Sequence, residues 1–295
     1  MRRILAVMGA IAATIWGAGS ISAEPRKPSD PSSEIVIPVQ VHAGFLIVAK
    51  GQIDSLSGLN FLIDTGQTYT SVDRSIIDKL GLDVASSGGA SILNLDKKVP
   101  ARFCSLGKIG MGGFAEESVP VIVDDLRWFG GDGLHIDAVI GLDLLRKRGS
   151  LRVDFRRKQI VFDATSPIPG RAVPLHQNRW SVTVNIDLAE HHAEMILDTG
   201  MRETVFYREE LENHAVRFTR QQDTLGASSG GMIDFTRAWM PPARLGGQNL
   251  NREAYLLTRP GASAPSGIAG FLGIAELHAK IVEFDFARQE LRWSN

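Results

Sequence analysis

Residues 61–66 have the sequence FLIDTG, and residues 195–200 have the sequence MILDTG. In each copy three apolar residues precede Asp-Thr-Gly, and a threonine follows four residues after the glycine, at Thr70 and Thr204. A short apolar run that ends in a glycine-containing segment is typical of a buried strand followed by a tight turn. The sequence therefore predicts the same strand-and-turn unit twice, with an aspartate at the start of each turn.

The similarity between the two halves extends on both sides of these hexapeptides. The further matching segments are residues 37–39 (IPV) with 173–175 (VPL), 109–110 (IG) with 245–246 (LG), 139–142 (VIGL) with 271–274 (FLGI), and 153–155 (VDF) with 284–286 (FDF). They occur in the same order at a nearly constant offset. We conclude that the chain is an internal duplication.

Both halves are predicted to have the same order of secondary-structure elements. Strands are predicted over residues 35–48, 119–123, 180–188 and 254–258. Helices are predicted over residues 73–80 and 208–214, and the glycine-rich segments are residues 86–91 and 226–231. Ile76, Ile77 and Leu80 lie at helical spacing, and Gly81 is a typical helix end. The sequence predicts two mostly β lobes, residues 34–163 and 173–295, joined by a Pro- and Gly-containing linker over residues 164–172.

The N-terminal residues predict export. Arg2 and Arg3 precede an uncharged, mostly apolar run over residues 4–17, and small residues lead to Ala23. This pattern is typical of a secretory signal peptide over residues 1–23, with an uncleaved anchor or a twin-arginine signal as alternatives. Residues 24–33 are rich in Pro, Ser and charge and predict a flexible leader. We expect a periplasmic or secreted protein without stable membrane association after cleavage.

Composition excludes several classes of protein. The 295 residues are 44% hydrophobic and 22% charged, with 32 basic against 33 acidic residues, which is ordinary for a folded domain. A balanced charge argues against nucleic-acid binding. The single cysteine, Cys104, excludes an intramolecular disulfide and is interpreted as a core residue. His191, His192 and Glu194 suggest either a metal site or, as we favour, a polar hairpin turn.

Taken together, the paired Asp-Thr-Gly motifs and the apolar-apolar-Gly motifs resemble the aspartic proteases, specifically their bacterial retropepsin-like branch. The resemblance covers residues 35–293. It implies an all-β, bilobal fold of the pepsin and retropepsin type, in which Asp64 and Asp198 face each other across a pseudo-two-fold axis as the catalytic pair. It implies no cofactor and no metal.

The chemistry of peptide hydrolysis gives an independent reason for a pair of aspartates. Water needs a general base while the carbonyl oxygen needs a proton donor. Two carboxyl groups about 3 Å apart cannot both ionise, so they share one proton and supply both functions. Gly66 and Gly200 allow the tight turns. The resemblance implies that the hydroxyls of Thr65 and Thr199 each hydrogen-bond the opposite loop.

Two further sets of residues are candidates for substrate binding. The glycine-rich segments predict two flaps over an extended peptide, with Gly88 and Gly89 in one and Gly230 and Gly231 in the other. The residue after each Asp-Thr-Gly departs from the family pattern, because Gln67 and Met201 have no hydroxyl for the neighbouring aspartate. Their bulk is expected to narrow the neighbouring substrate pockets.

We therefore expect an aspartic endopeptidase whose partner is a polypeptide substrate. The alternative is a peptide-binding protein of the same fold with little or no turnover. Because one chain carries both motifs, a monomer with an intramolecular lobe pair is expected. Asp154 and Asp285 also recur between the halves, but they lie between apolar strand residues and are interpreted as structural.

Overall fold

We describe the fold from a computed structural model. It describes residues 34–295 except residues 94, 96–97, 130–132, 229–230 and 259–266. The predicted signal peptide and leader, together with Gly230, lie outside the described residues. No helix in the described ranges is both long enough and apolar enough to cross a bilayer.

Both lobes are built almost entirely from strands. The N-terminal lobe contains β1 (Ile35–His42), β2 (Leu46–Ile53), β3 (Leu56–Ile63), β4 (Ser71–Asp73), α1 (Arg74–Leu80), β5 (Ala85–Leu93), β6 (Lys98–Met111), β7 (Phe114–Asp124), a 3-10 helix (Leu126–Phe129), β8 (Ala138–Ile140), α2 (Leu142–Leu145), β9 (Ser150–Asp154) and β10 (Gln159–Phe162). The C-terminal lobe contains β11 (Arg171–Pro174), β12 (His176–Gln177), β13 (Val182–Leu188), β14 (His191–Asp198), β15 (Val205–Tyr207), α3 (Arg208–Asn213), β16 (Thr219–Ser228), β17 (Gly231–Trp239), β18 (Ala243–Leu245), β19 (Gln248–Asn249), β20 (Glu253–Leu257), β21 (Ile268–Gly273), a 3-10 helix (Ile274–Leu277), β22 (Ile281–Asp285) and β23 (Glu290–Ser294). This architecture confirms the predicted all-β, bilobal fold.

Helix α1 lies where its sequence signals predicted it. It begins one residue after the predicted start because Asp73 is the N-cap, whose side chain accepts a hydrogen bond from the amide of Ser75 at 2.9 Å. Gly81 ends the helix in the left-handed conformation, with φ of 64°. Ile76 and Ile77 are buried against the lobe. The equivalent helix, α3, ends at Asn213, and His214 is its C-cap.

Two predictions of local structure were wrong. Residues 35–48, predicted as a strand, form parts of β1 and β2, separated by a hairpin turn in which Ala43 and Gly44 have φ of 48° and 82°. His191 and His192, interpreted as a turn, are instead the first residues of β14. The turn precedes them at residues 189–190. Apolar content alone does not show where a hairpin reverses.

The topology of each lobe brings its Asp-Thr-Gly segment to the end of a central strand. In the N-terminal lobe β8 lies between β3 and β4, parallel to β3 and antiparallel to β4. In the C-terminal lobe β21 lies between β14 and β15 in the same way. The chain must therefore pass from β3 to β4, and from β14 to β15, over the end of the strand inserted between them. The Asp-Thr-Gly segments form these two crossings.

A sheet shared by both lobes holds the two crossings in place. Its strands follow the order β11, β23, β22, β9, β10 and β1, so β22 of one lobe pairs directly with β9 of the other. Val282 stands opposite Val153 in this antiparallel pair, and both are fully buried. The interface between lobes is thus continuous with the hydrophobic core, which favours a fixed relative placement of the two lobes.

Each lobe also has a long hairpin, β5–β6 in the first and β16–β17 in the second. In the second hairpin the pairing of β16 with β17 extends to Ser228 and Gly231, within the glycine-rich segment predicted from the sequence. Residues 86–91 differ from the expectation, because Gly88 and Gly89 lie within β5. There, residues 87–90 stand opposite residue 101 alone, so the glycines form a bulge in the strand.

Candidate active site

The two aspartates occupy equivalent positions at the ends of the central strands. Asp64 directly follows β3, and its amide donates to the carbonyl of Ile140 at 3.0 Å. Asp198 is the last residue of β14, in register with Gly273. Each Oδ1 accepts a hydrogen bond from the amide two residues later, from Gly66 at 2.8 Å and from Gly200 at 2.7 Å. Both carboxyl groups are therefore oriented by their own turns.

The glycine of each apolar-apolar-Gly motif lies directly against the backbone of the aspartate-bearing loop in its own lobe. A Cβ on Gly141 would stand 2.8 Å from the carbonyl carbon of Tyr69, and one on Gly273 would stand 2.5 Å from that of Arg202. Only glycine admits this approach of loop backbone to strand backbone. Sequence reasoning recognised the repeated motif but did not assign these glycines to the site; their recurrence at matching positions was the available signal.

The threonines of the two motifs join the lobes through reciprocal hydrogen bonds. The Thr65 hydroxyl donates to the carbonyl of Leu197 at 2.8 Å and accepts from the amide of Thr199 at 3.1 Å. The Thr199 hydroxyl donates to the carbonyl of Ile63 at 2.7 Å and accepts from the amide of Thr65 at 3.0 Å. Both threonines are fully buried. The network fixes each aspartate-bearing loop relative to the other.

We predict that Thr65→Val lowers the free energy of unfolding by about 1–3 kcal/mol for each buried group left unpaired. Valine preserves the shape but leaves the Leu197 carbonyl without its donor and the Thr199 amide without its acceptor. Urea denaturation measures the change. Thr204→Val is the matched control, because the buried Thr204 hydroxyl has no hydrogen-bond partner in the described part of the chain. Equal destabilisation by both variants would contradict a special contribution of the network.

The two aspartates lie together in a buried site. Asp64 is 1% exposed and Asp198 is 0% exposed. A Cβ on Gly200, in the loop of Asp198, would stand 2.6 Å from Oδ2 of Asp64. Burial raises the pKa of Asp64, while a hydrogen bond with the side chain of Asp198 acts in the opposite direction. A hydrogen bond between two carboxyl groups requires a proton on one of them, and the raised pKa of Asp64 favours such a proton.

Comparison with known proteins agrees with this geometry. The sequence profile described as "Aspartyl protease" matches residues 49–144, which include Asp64 and Gly141. This stretch of the chain is therefore similar to the aspartyl proteases. The aspartic proteinase of Irpex lacteus has the same overall fold, with a TM-score of 0.50 and 13% identity over 89% of this chain and 97% of that chain.

A retropepsin-like aspartic protease from Rickettsia conorii aligns at a TM-score of 0.31 and 16% identity, covering 44% of this chain and 89% of that chain. A search of curated proteins gave no significant match.

Gln67 and Met201, the residues that depart from the motif of the family that the sequence resembles, have different surroundings. The Gln67 amide nitrogen donates to the carbonyl of Tyr69 at 2.5 Å and to the hydroxyl of Ser71 at 2.9 Å, so this side chain folds back onto its own loop. Met201 belongs to an apolar cluster of the C-terminal lobe. Both residues are fully buried.

A buried carboxyl group accepts hydrogen bonds from each aspartate-bearing loop of this bilobal fold. Asp143 accepts hydrogen bonds from the amide and hydroxyl of Thr70 at 2.9 and 2.8 Å, and burial raises its pKa to about 6. When the two halves are aligned residue by residue, Ala275 stands opposite Asp143, so the carboxyl group equivalent to that of Asp143 is not found at the matching position. It is Glu276, one residue further on, which accepts from the backbone of Thr204 and of Asn251. A longer side chain thus compensates for a one-residue shift.

Glu203, which follows Asp198 in the second aspartate-bearing loop, is a third carboxyl group with a raised pKa. Burial raises its pKa to about 7, and Oε2 has no hydrogen-bond partner among the described residues. The unfolded chain has the ordinary value, so between about pH 5 and 7 the folded state binds more protons than the unfolded state. Stability from this group is therefore present below that range and is lost as pH rises through it.

We predict that Glu203→Gln flattens the dependence of Tm on pH between about pH 5 and 7, because the glutamine has no proton to lose. Thermal denaturation at several pH values measures the slope. Glu117→Gln, at an exposed position of β7, is the control and should keep the wild-type slope. An unchanged slope in Glu203→Gln would show that another group governs the dependence.

Proposed function

We propose that this chain is an aspartic endopeptidase in which Asp64 and Asp198 activate a water molecule against a peptide bond. The observation that carries the proposal is the placement of two buried carboxyl groups, from equivalent loops of two lobes, beside each other. The aspartyl protease profile over residues 49–144 and the bilobal fold support it.

The proposed reaction uses the shared proton of the pair. The ionised carboxylate takes a proton from water while the protonated carboxyl group donates its proton to the carbonyl oxygen of the substrate. The hydroxide adds to the carbonyl carbon and gives a tetrahedral intermediate. Collapse of this intermediate breaks the C–N bond, and a proton passes to the leaving amine. Because burial raises the pKa of Asp64, the singly protonated pair persists toward neutral pH, and a bell-shaped profile on the acidic side of neutrality is expected.

The proposed substrate is a polypeptide bound in extended form between the lobes, beneath the hairpins β5–β6 and β16–β17. Apolar residues on either side of the scissile bond fit the apolar cluster that contains Met201. Both aspartates come from one chain, so the proposed active unit is a monomer, and specific activity should stay constant on dilution to nanomolar protein. The N-terminal pattern supports action outside the cytoplasm; a mature chain that begins at Glu24 would agree with this location.

The decisive experiment incubates purified residues 24–295 with a mixed peptide library and detects products by mass spectrometry. We expect cleavage between apolar residues, inhibition by a peptide mimic with a hydroxyl group at the cleavage position, and no effect of chelators. Strong inhibition by a chelator, reversed by zinc, would contradict the mechanism.

A peptide-binding protein without turnover is the second candidate. It is supported by Gln67 and Met201, which supply no hydroxyl to the aspartates, and by the burial of both carboxyl groups. Isothermal calorimetry with library peptides distinguishes the candidates: saturable binding without any product favours the binder, and product formation excludes it.

A further inference from the structure

A cavity of about 970 Å³ lies between the lobes, beside the loop that bears Asp198. Its wall is formed by the β1–β2 turn of the first lobe and by β16, β17, β20 and the 3-10 helix Ile274–Leu277 of the second lobe. Arg202 and Glu203, in the Asp198 loop, line it, whereas the two aspartates themselves do not. Gly44 lines the opposite side, where a Cβ would meet nothing within 4 Å. The cavity is therefore a compartment next to the carboxyl pair and distinct from it.

Strand pairing shows which residues of the first lobe occupy the positions equivalent to this wall. In each lobe the residue seven positions after the aspartate pairs with a strand that pairs in turn with the long hairpin. The equivalent residues are Tyr69 and Glu203, Ile122 and Tyr255, and Phe103 and Arg237. In the first lobe, Tyr69 and Phe103 pack against an apolar cluster that contains Ile122. Trp180 of the second lobe meets Tyr69 edge-on, with ring centroids 6.3 Å apart. Aromatic side chains thus occupy in the first lobe the positions at which the second lobe has a carboxyl group and a guanidinium group.

Three glutamates give the wall an excess of negative charge. They are Glu203, Glu253 and Glu276, and the equivalent residues of the first lobe, Tyr69, Pro120 and Leu144, are uncharged. Arg237 forms an ion pair with Glu253. Arg202 approaches Glu203 only to 3.9 Å, which is too long for a hydrogen bond. Glu276 accepts from backbone groups. Two of the three carboxyl groups are therefore without a hydrogen-bonded cation within the described part of the chain.

The three carboxyl groups repel one another. Burial raises the pKa of Glu203 to about 7; Arg202 acts in the opposite direction, and Glu276 and Glu253 add to the rise. The other titratable groups of the wall are Arg237, Tyr255, Asp223 and His278. A cation in the cavity would attract the glutamates and favour their ionised forms. The wall is thus suited to a positively charged group.

We propose that this cavity binds the side chain of a lysine or arginine residue of a polypeptide substrate. The proposal rests on the proposed function and defines its substrate more narrowly. Phe155 and Ile274 also line the cavity and can contact the methylene groups of such a side chain while its charged end lies at the glutamates. Glu203 follows Asp198 by five residues, which span at most about 18 Å. An extended peptide covers that distance in about five residues, so the basic residue lies within about five positions of the cleaved bond.

The first test measures peptide selection without relying on catalysis. The Asp64→Asn variant of residues 24–295 is immobilised and exposed to a mixed library of acetylated, amidated peptides, and the retained peptides are identified by mass spectrometry. At one position of the library we expect lysine or arginine to be retained at least about tenfold better than norleucine, which has the aliphatic chain of lysine without its charge. Glutamate at that position should be retained less well than norleucine.

Substitutions of Glu203 test whether the preference comes from this cavity. Glu203→Lys places an ammonium group among the glutamates and should reduce the preference to about twofold or less. Glu203→Gln removes one charge and keeps the shape, and should reduce it at least about threefold. Glu117→Lys is the matched control, because it makes the same change of charge at an exposed position of β7, and it should keep the full preference. The ratio of lysine to norleucine peptides cancels any general effect of a substitution on binding.

The second test asks whether a cation reaches Glu203. The protein is labelled with ¹³C at the glutamate carboxyl groups and titrated with acid in an NMR experiment, and the signal of Glu203 is identified by its loss in Glu203→Gln. Agmatine, a guanidinium group on a four-carbon amine, should lower the pKa of Glu203 by about one unit, because a cation favours the ionised form. Sodium chloride at the same ionic strength is the control and should lower it by less than half as much.

The outcomes separate this inference from the proposed function. Retained peptides without a basic preference at any position overturn the inference, and so does a preference that persists in Glu203→Lys. A response of Glu203 to agmatine without any selection of basic peptides shows a site for a free cation and overturns the assignment to a substrate side chain. Selection of basic peptides by a protein whose wild type cleaves none supports the cavity and counts against the proposed function.

Discussion

Asp64→Asn and Asp198→Asn are each expected to lower peptide turnover by at least about a thousandfold, with the fold retained. Either change leaves one carboxyl group where the reaction needs both a base and an acid. Asparagine has nearly the same shape and can still accept the amide hydrogen bond, from Gly66 at position 64 and from Gly200 at position 198. Peptide cleavage measured by mass spectrometry, with circular dichroism as the check on folding, decides the result.

Because the two carboxyl groups act as a unit, the double variant should be no less active than either single variant. Asp154→Asn is the matched control. Asp154 is as deeply buried, but it accepts from the amide of Arg157 at the turn after β9, in the sheet between the lobes. Its replacement should leave turnover unchanged. Substantial activity in either single variant at position 64 or 198 would defeat the assignment of the catalytic pair.

Gly200→Ala is expected to lower turnover by about a hundredfold or more, because a misplacement of about 1 Å has an effect of this size. The new Cβ would stand 2.6 Å from Oδ2 and 2.8 Å from Cγ of Asp64, so the carboxyl group of the other lobe must shift. The backbone of Gly200 does not lie in the left-handed region, so the effect comes from this contact and not from backbone strain. Steady-state cleavage of a peptide measures it.

Gly149→Ala is the matched control for Gly200→Ala. A Cβ on Gly149 would meet Asp163 at 3.5 Å, which is an ordinary contact, and its backbone also avoids the left-handed region. Activity should therefore remain at the wild-type level. A Gly200→Ala variant with wild-type turnover would show that the two loops are not held against each other in solution.

Most of the fold was predictable because both halves of the chain carry the same series of motifs. The duplicated motifs define two similar lobes, and the all-β, bilobal prediction is confirmed. The errors concern reversals of the chain. The turn at Ala43 and Gly44 lies inside an apolar run. His191 and His192 are polar residues in a strand, where His191 is partly buried and His192 is exposed. Local composition does not reveal which face of a strand is covered.

In the candidate site, too, some residues could be predicted from the sequence and others could not. The sequence identified both aspartates and both threonines, and the structure places all four in one buried site. It did not identify Glu276, because a one-residue shift breaks the alignment with Asp143 while the longer side chain restores the contact.

The sequence by itself determined the duplication, the position of each aspartate after a buried strand, and the chemistry that two carboxyl groups can share. These are local properties of composition and spacing. Only the tertiary structure decided that Gly44 and Glu203 line one cavity, that Gly200 stands against Asp64, and that β22 pairs with β9. Each of these contacts joins residues far apart in the chain, and their partners are selected by packing of whole lobes, which no local pattern encodes.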